Sequence, residues 1–218
     1  MQIIEQLKNN KGTISSELSK RLALEVLSGN MDILSEAIEL TSYELKNKKE
    51  KNIRSGAAKI VEVVAMEKPE LVSPYLEELL PALEADEPQT RWMIIRTMGI
   101  CAVFNEVIAG KALEYAKMYI RNKKEGELCL VSSADLYLGD YGAMSRKNTE
   151  KVFSILLEST DNIIMNEHDW LLEAFTKIIP NLLDREKATV LSFAREYQNH
   201  SRKTTQKRVE IIEHLCKD

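Results

Sequence analysis

Slid along itself, the sequence comes into register after thirty-seven residues, with Arg54 of "NIRSGAAKIVEVVA" over Arg91 of "QTRWMIIRTMGICA". In that register Ala58 and Ala65 fall against Ile95 and Ala102, and Val61 falls against Met98. The segment "TQKRVEIIEHL" near the end has the same opening: a polar cap, then Arg208, then an apolar stripe. "ELCLVSSADLYLGDYG" and "HDWLLEAFTKIIPNLL" match in length and hydrophobicity but lack the arginine. A repeat of about 40 residues constrains the chain strongly. Each unit is one supersecondary element that cannot bury its apolar face alone, so the units must stack on one another.

What repeats is helical. Apolar residues recur at i, i+3, i+4 and i+7 almost throughout, and strand-like alternation is nearly absent. Leu18, Leu22 and Val26 make one stripe, with Ser15 or Ser16 as N-cap and Gly29 as stop. Over 31–49 the stripe is Leu34, Ala37, Ile38, Thr41 and Leu45, and over 52–67 it is Ile53, Ala57, Ile60, Val61 and Val64. Pro69 opens a helix over 69–85, at a position where the missing N–H costs nothing. Pairs follow at 88–104 with 107–121, 126–144 with 148–159, and 167–183 with 185–199, and a last helix covers 203–217. With 8 Gly and 5 Pro among 218 residues, the chain has too few turn formers for a sandwich or barrel. The expected fold is all-α: one domain of about five hairpins (15–48, 50–84, 88–121, 126–159, 167–199) and a closing helix, 203–217. "WMIIRTMGICAVF" is apolar on more than one face, which suits a helix buried between neighbours on two sides.

The stretch "LLPALEADEPQTRWMIIRTMG", residues 79–99, resembles a HEAT repeat, in the wider armadillo-like α-solenoid class. It holds the end of a second helix, a turn with Asp86 and Pro88, then Arg91 on an apolar first helix ending at Gly99. The resemblance is best over residues 50–105. It implies an α-α superhelix in which the turn acid and the helix-start arginine bridge neighbouring repeats, here Asp86, Arg91 and Arg54. Asp86 also suits the positive end of the following helix as a cap.

Chemistry is hard to find. No phosphate loop, dinucleotide fingerprint, nucleophile elbow or paired-histidine motif occurs. The three histidines are scattered, and His214 with Cys216 makes two metal ligands without a third. Asp135 with Asp140, and Asp169 with Glu173, are the kind of pair that 34 acids on helices give by chance. No catalytic residue, metal or cofactor is therefore expected. A net charge of −4 argues against a surface built for nucleic acid. The alternative is a nucleic-acid-binding protein of the type seen in HEAT-like DNA-alkylation-repair glycosylases, for which Trp92, Trp170, Asp169 and Arg185 are raw material. Lysines and arginines gather at three inter-repeat joints (46–54, 121–124 and 202–208), where they complement helix C-termini.

Cys101 and Cys129 sit in apolar helical stretches that predict buried free thiols. Three widely spaced cysteines and an N-terminus without a leader pattern predict a cytoplasmic location, and no apolar run is long enough for a membrane span. Tyr43, Tyr75, Tyr115, Tyr119 and Tyr197 fall on the second helices of the pairs, the ones expected to line a concave face. Tyr43, Tyr75 and Tyr115, with Lys111, are the candidate partner-binding residues. The functional expectation is a non-enzymatic scaffold that binds a protein or peptide through that face.

Overall fold

The computed structural model describes residues 3–9, 15–123, 127–161, 163–164 and 166–217, which fall into two compact units, Met1–Tyr115 and Ala116–Asp218. Helices and turns account for both, with no strand among the described residues. Lys124, Gly126 and the side chains of Ser15 and Ser16 lie outside the described residues, so the N-cap expected of either serine goes with them.

The first unit opens with α1 (Ile3–Asn9), which the sequence reading did not anticipate. Its buried Ile3 and Leu7 lie one helical turn apart, and Leu7 reaches Gly56, where an added Cβ would stand 2.6 Å from the leucine methyl. Three hairpins follow. The first pairs α2 (Ser15–Leu27) with α3 (Met31–Leu40), and the second pairs α4 (Lys51–Glu67) with α5 (Pro69–Val72) and α6 (Leu76–Leu79). The third pairs α7 (Pro88–Ile100) with α8 (Glu106–Ala109) and α9, which starts at Leu113. First helices stack on first helices, α2 on α4 and α4 on α7, while α3 packs on α6 and α6 on α8. Gly29, at φ +115°, ends the first hairpin's opening helix in a backbone region that side chains with a Cβ avoid.

Second helices are less regular than the sequence predicts. The helix expected over 31–49 stops at Leu40. There Thr41 turns its hydroxyl back onto the Ile38 carbonyl, and Glu44 takes a positive φ of 40°. The segment 69–84 alternates α and 3-10 turns because Pro74 and Pro81 each withhold an N–H from the ladder. A 3-10 turn at Gly110–Ala112 likewise divides α8 from α9.

In the second unit α9 runs out at Arg121, and α10 (Leu128–Ala143) pairs with α11 (Arg146–Thr160). Then come α12 (Glu167–Ile178), α13 (Asp184–Arg195) and α14 (Lys203–Leu215). Ser145 caps α11 by accepting the Asn148 N–H at 3.2 Å. The middle helix α10 is buried on nearly all sides, against α11 and α12. Gly139 permits a close approach to backbone: a Cβ there would meet the Ala174 Cα of α12 at 2.7 Å. Cys101 is buried as its surroundings predict, but Cys129 is exposed, because it sits at the start of α10 before that helix enters the core. No helix among the described residues is long and apolar enough to cross a membrane.

Candidate functional site

Arg54, the fourth residue of α4 and next to Ile53 of its apolar stripe, is fully buried. Its fork faces two ways. Nε and Nη2 donate to the two carboxylate oxygens of Glu87, at 2.9 and 2.7 Å. Nη1 donates to the carbonyls of Tyr43, Glu44 and Asn47, at 3.1, 3.0 and 3.1 Å. The Glu44 and Asn47 carbonyls also accept turn N–H groups, from Asn47 at 2.7 Å and Glu50 at 3.1 Å, so the guanidinium reinforces the irregular end of the first hairpin while it closes the joint ahead. Glu87 is also held by the Thr90 hydroxyl at 2.6 Å. Burial pushes Glu87 towards its neutral form, but the Arg54 and Thr90 hydrogen bonds outweigh that and hold its carboxyl below the usual range.

The bridging acid is therefore Glu87 and not Asp86. Pro88 takes the first helical position of α7, which makes Glu87 the N-cap residue and leaves Asp86 one step outside. Asp86 is exposed, 4.0 Å from the ammonium of Lys48, and does not cap the helix. Arg91 lies half-buried in the first turn of α7.

In the second unit the same task falls to a different constellation. Asp169, on the first turn of α12, accepts from Thr205 Oγ1 at 2.6 Å and from Arg202 Nη1 at 3.0 Å. Arg208 of α14 stands 3.4 Å from Asp169 and reaches Glu173 at 2.7 Å. Burial works against the Asp169 carboxylate, yet these donors hold it below its ordinary range. Asp169 is thus committed to tying α12 to α14, and Arg208 is the repeat arginine that the sequence predicts, reaching backward where Arg54 reaches forward. Glu167 is sealed beside it, with Lys123 Nζ at 2.8 Å and the Ser159 hydroxyl at 3.1 Å. Near these groups Asp135 of α10 is fully buried, and neither of its oxygens makes a well-formed hydrogen bond. Burial first, and the Glu167 carboxylate second, push the Asp135 carboxyl well above its ordinary range.

The candidate binding residues fall along the second-helix row of the first unit. Tyr43 follows α3 and is half-buried; Tyr75 is half-buried in the turn before α6. Lys111 sits in the turn before α9, its ammonium 2.5 Å from Glu77 of the neighbouring hairpin. Tyr115 donates its hydroxyl to Glu84 at 2.8 Å, which raises its pKa above that of an ordinary tyrosine. Two exposed links between neighbouring second helices therefore hold Lys111 and Tyr115 in place. Tyr119 is buried and belongs to the core.

Trp92 belongs to the first-helix row, beside a cavity of about 220 Å³ that Ser19, Lys59 and Gln89 also line. Trp170 is partly exposed on α12, in the other unit. His168 stacks on Tyr197 with ring centroids 4.7 Å apart, and His200 tilts against it at the same distance. Cys216 gives its thiol to the Lys187 carbonyl at 3.7 Å. No group of three His, Cys, Asp or Glu able to hold a metal occurs among the described residues.

No protein-family model matches the chain, and no curated protein matches its sequence. Solved structures do match. A designed armadillo repeat protein superposes with a TM-score of 0.64 at 13% identity, over 98% of each chain. An engineered protein solved as a structural-genomics target gives 0.65 at 12% identity, over 100% of this chain and 97% of its own. At such identities the likeness speaks for the fold, and the fold is that of an armadillo/HEAT-like helical-repeat solenoid, as the sequence resemblance implies.

Proposed function

We propose that the chain is a non-enzymatic interaction scaffold that binds a protein or peptide partner through its second-helix face, with its five hairpins and closing helix serving as one functional domain. The observation that carries this reading is the row of Tyr43, Tyr75, Lys111 and Tyr115, in which Lys111 and Tyr115 are pinned to Glu77 and Glu84 of the preceding hairpin. Aromatic anchors already fixed in position lose little side-chain entropy when a partner docks. Such a surface needs no reacting group, and the acids that looked like catalytic raw material, Asp169 among them, are engaged in joining helices.

Affinity capture from the native host with the wild-type chain and with a Tyr75→Ala, Lys111→Glu, Tyr115→Ala variant tests this. A protein retained by the wild type and lost by the variant is the expected result. Retention of nucleic acid alone would instead support the base-repair alternative and sink the scaffold reading.

A further inference from the structure

The tips of the three hairpins in the first unit lie on the edge opposite the Arg54 joints. Lys68 donates to the Leu27 carbonyl at 3.5 Å, Cys101 to the Pro69 carbonyl at 3.6 Å, and Asn105 to the Ser73 carbonyl at 3.2 Å. Each tip is thereby tied to the next, and the three form one continuous edge.

That edge is apolar where a solvent-facing turn has no structural need to be. Leu24, Met66, Val103, Phe104 and Val107 are each more than half exposed, with Val107 at 78% and Val103 at 69%. Among the described residues these are half of the large hydrophobic side chains that remain exposed, all in the three hairpin tips or the helix ends that flank them. Single exposed apolar residues are ordinary, but a contiguous cluster on a soluble surface marks a contact site. The polar groups between them have one sign. Residues 24–32, 64–73 and 101–108 carry Glu25, Asp32, Glu67, Glu70 and Glu106 against a single base, Lys68. The ammonium of Lys68 is already directed at a backbone carbonyl.

We infer that this edge is a second docking surface, distinct from the second-helix face, and that its occupant is a basic protein segment with apolar side chains set among Lys or Arg. Charge decides the class of partner. A second copy of this chain docking edge to edge would bring five acids against five acids, a like-charge contact that costs several-fold in affinity for each unrelieved pair. An anionic lipid surface is repelled for the same reason. A cationic segment is drawn in by the rim and held by the apolar centre, and its binding weakens as salt rises.

The test uses the full chain and a random-peptide library displayed on phage. The library is selected on the wild type and counter-selected on a Val103→Ser, Val107→Ser variant. Both side chains are exposed, and matching circular dichroism and melting curves establish that the variant is folded. Enriched peptides should combine apolar residues with an excess of Lys and Arg. The best of them, synthesised with a fluorescent label, should bind this variant, and also a Glu67→Lys, Glu70→Lys variant, at least about tenfold more weakly. It should bind a Tyr75→Ala, Tyr115→Ala variant unchanged. Loss at the tyrosine variant with none at the valine variant would assign the peptide to the second-helix face and overturn this proposal while leaving that reading intact. The proposal is equally overturned if no peptide survives counter-selection or if the survivors are neutral or acidic. It fails too if the valines govern self-association or vesicle binding instead.

Discussion

Arg54 is the residue on which the first unit turns. It is wholly buried, its charge is met by Glu87, and its Nη1 donates to three carbonyls of the joint behind it. Removing one member of a buried pair leaves the other charge uncompensated, so Arg54→Ala should lower unfolding free energy by about 3–5 kcal/mol in urea or guanidinium titrations. A loss below about 1 kcal/mol would show that the joint does not depend on it. Asp135 makes the opposite prediction in sign. Its folded carboxyl is raised, so between its unfolded pKa and that raised value the native state holds more protons than the unfolded state. Stability contributed at low pH is therefore lost as pH rises across that window. Asp135→Asn cannot ionise, and its melting temperature should gain on the wild type as pH rises above the ordinary carboxylate range. Parallel curves for the two proteins would contradict this. The sequence showed these two residues unequally. Arg54 was visible because its neighbour in the repeat, Arg91, stands at the same point of the next first helix. The acid it meets was misplaced by one residue, since "EADEPQ" offers three acids and only the helix start set by Pro88 chooses among them. Asp135 looked like a chance pair with Asp140, and its isolation arises only when α12 closes over α10.

At the scale of elements, first helices follow their sequence signals and second helices depart from them. The end of α3 was not legible at Thr41 because the groups that reward unwinding there belong to Arg54, ten or so residues further on. The interruptions at Pro74 and Pro81 were open to prediction from proline chemistry alone. The α10 and α12 pair tests how tightly first helices are stacked. Gly139→Ala places a methyl group against the Ala174 backbone, which cannot swing aside as a flexible side chain would. A loss of about 1–3 kcal/mol is expected by chemical denaturation. A neutral or stabilising effect, as helix propensity alone would give, would mean that the two helices stand further apart.

For the whole molecule, repeat period and helical spacing carried most of the fold, an all-α armadillo/HEAT-like solenoid of helical hairpins. What the sequence could not carry is which exposed residues act together, because that depends on how neighbouring hairpins set side chains side by side. The pairing of Lys111 with Glu77 and of Tyr115 with Glu84 spans more than thirty residues and follows no local motif. The most direct test of the scaffold reading places a photo-crosslinking amino acid singly at Tyr75, Tyr115 and Trp92, then irradiates the chain in extract of its native host. Adducts to one protein from positions 75 and 115, with none from position 92 on the first-helix row, are predicted. Protein adducts from position 92 alone, or nucleic acid as the only adduct anywhere, would contradict the account.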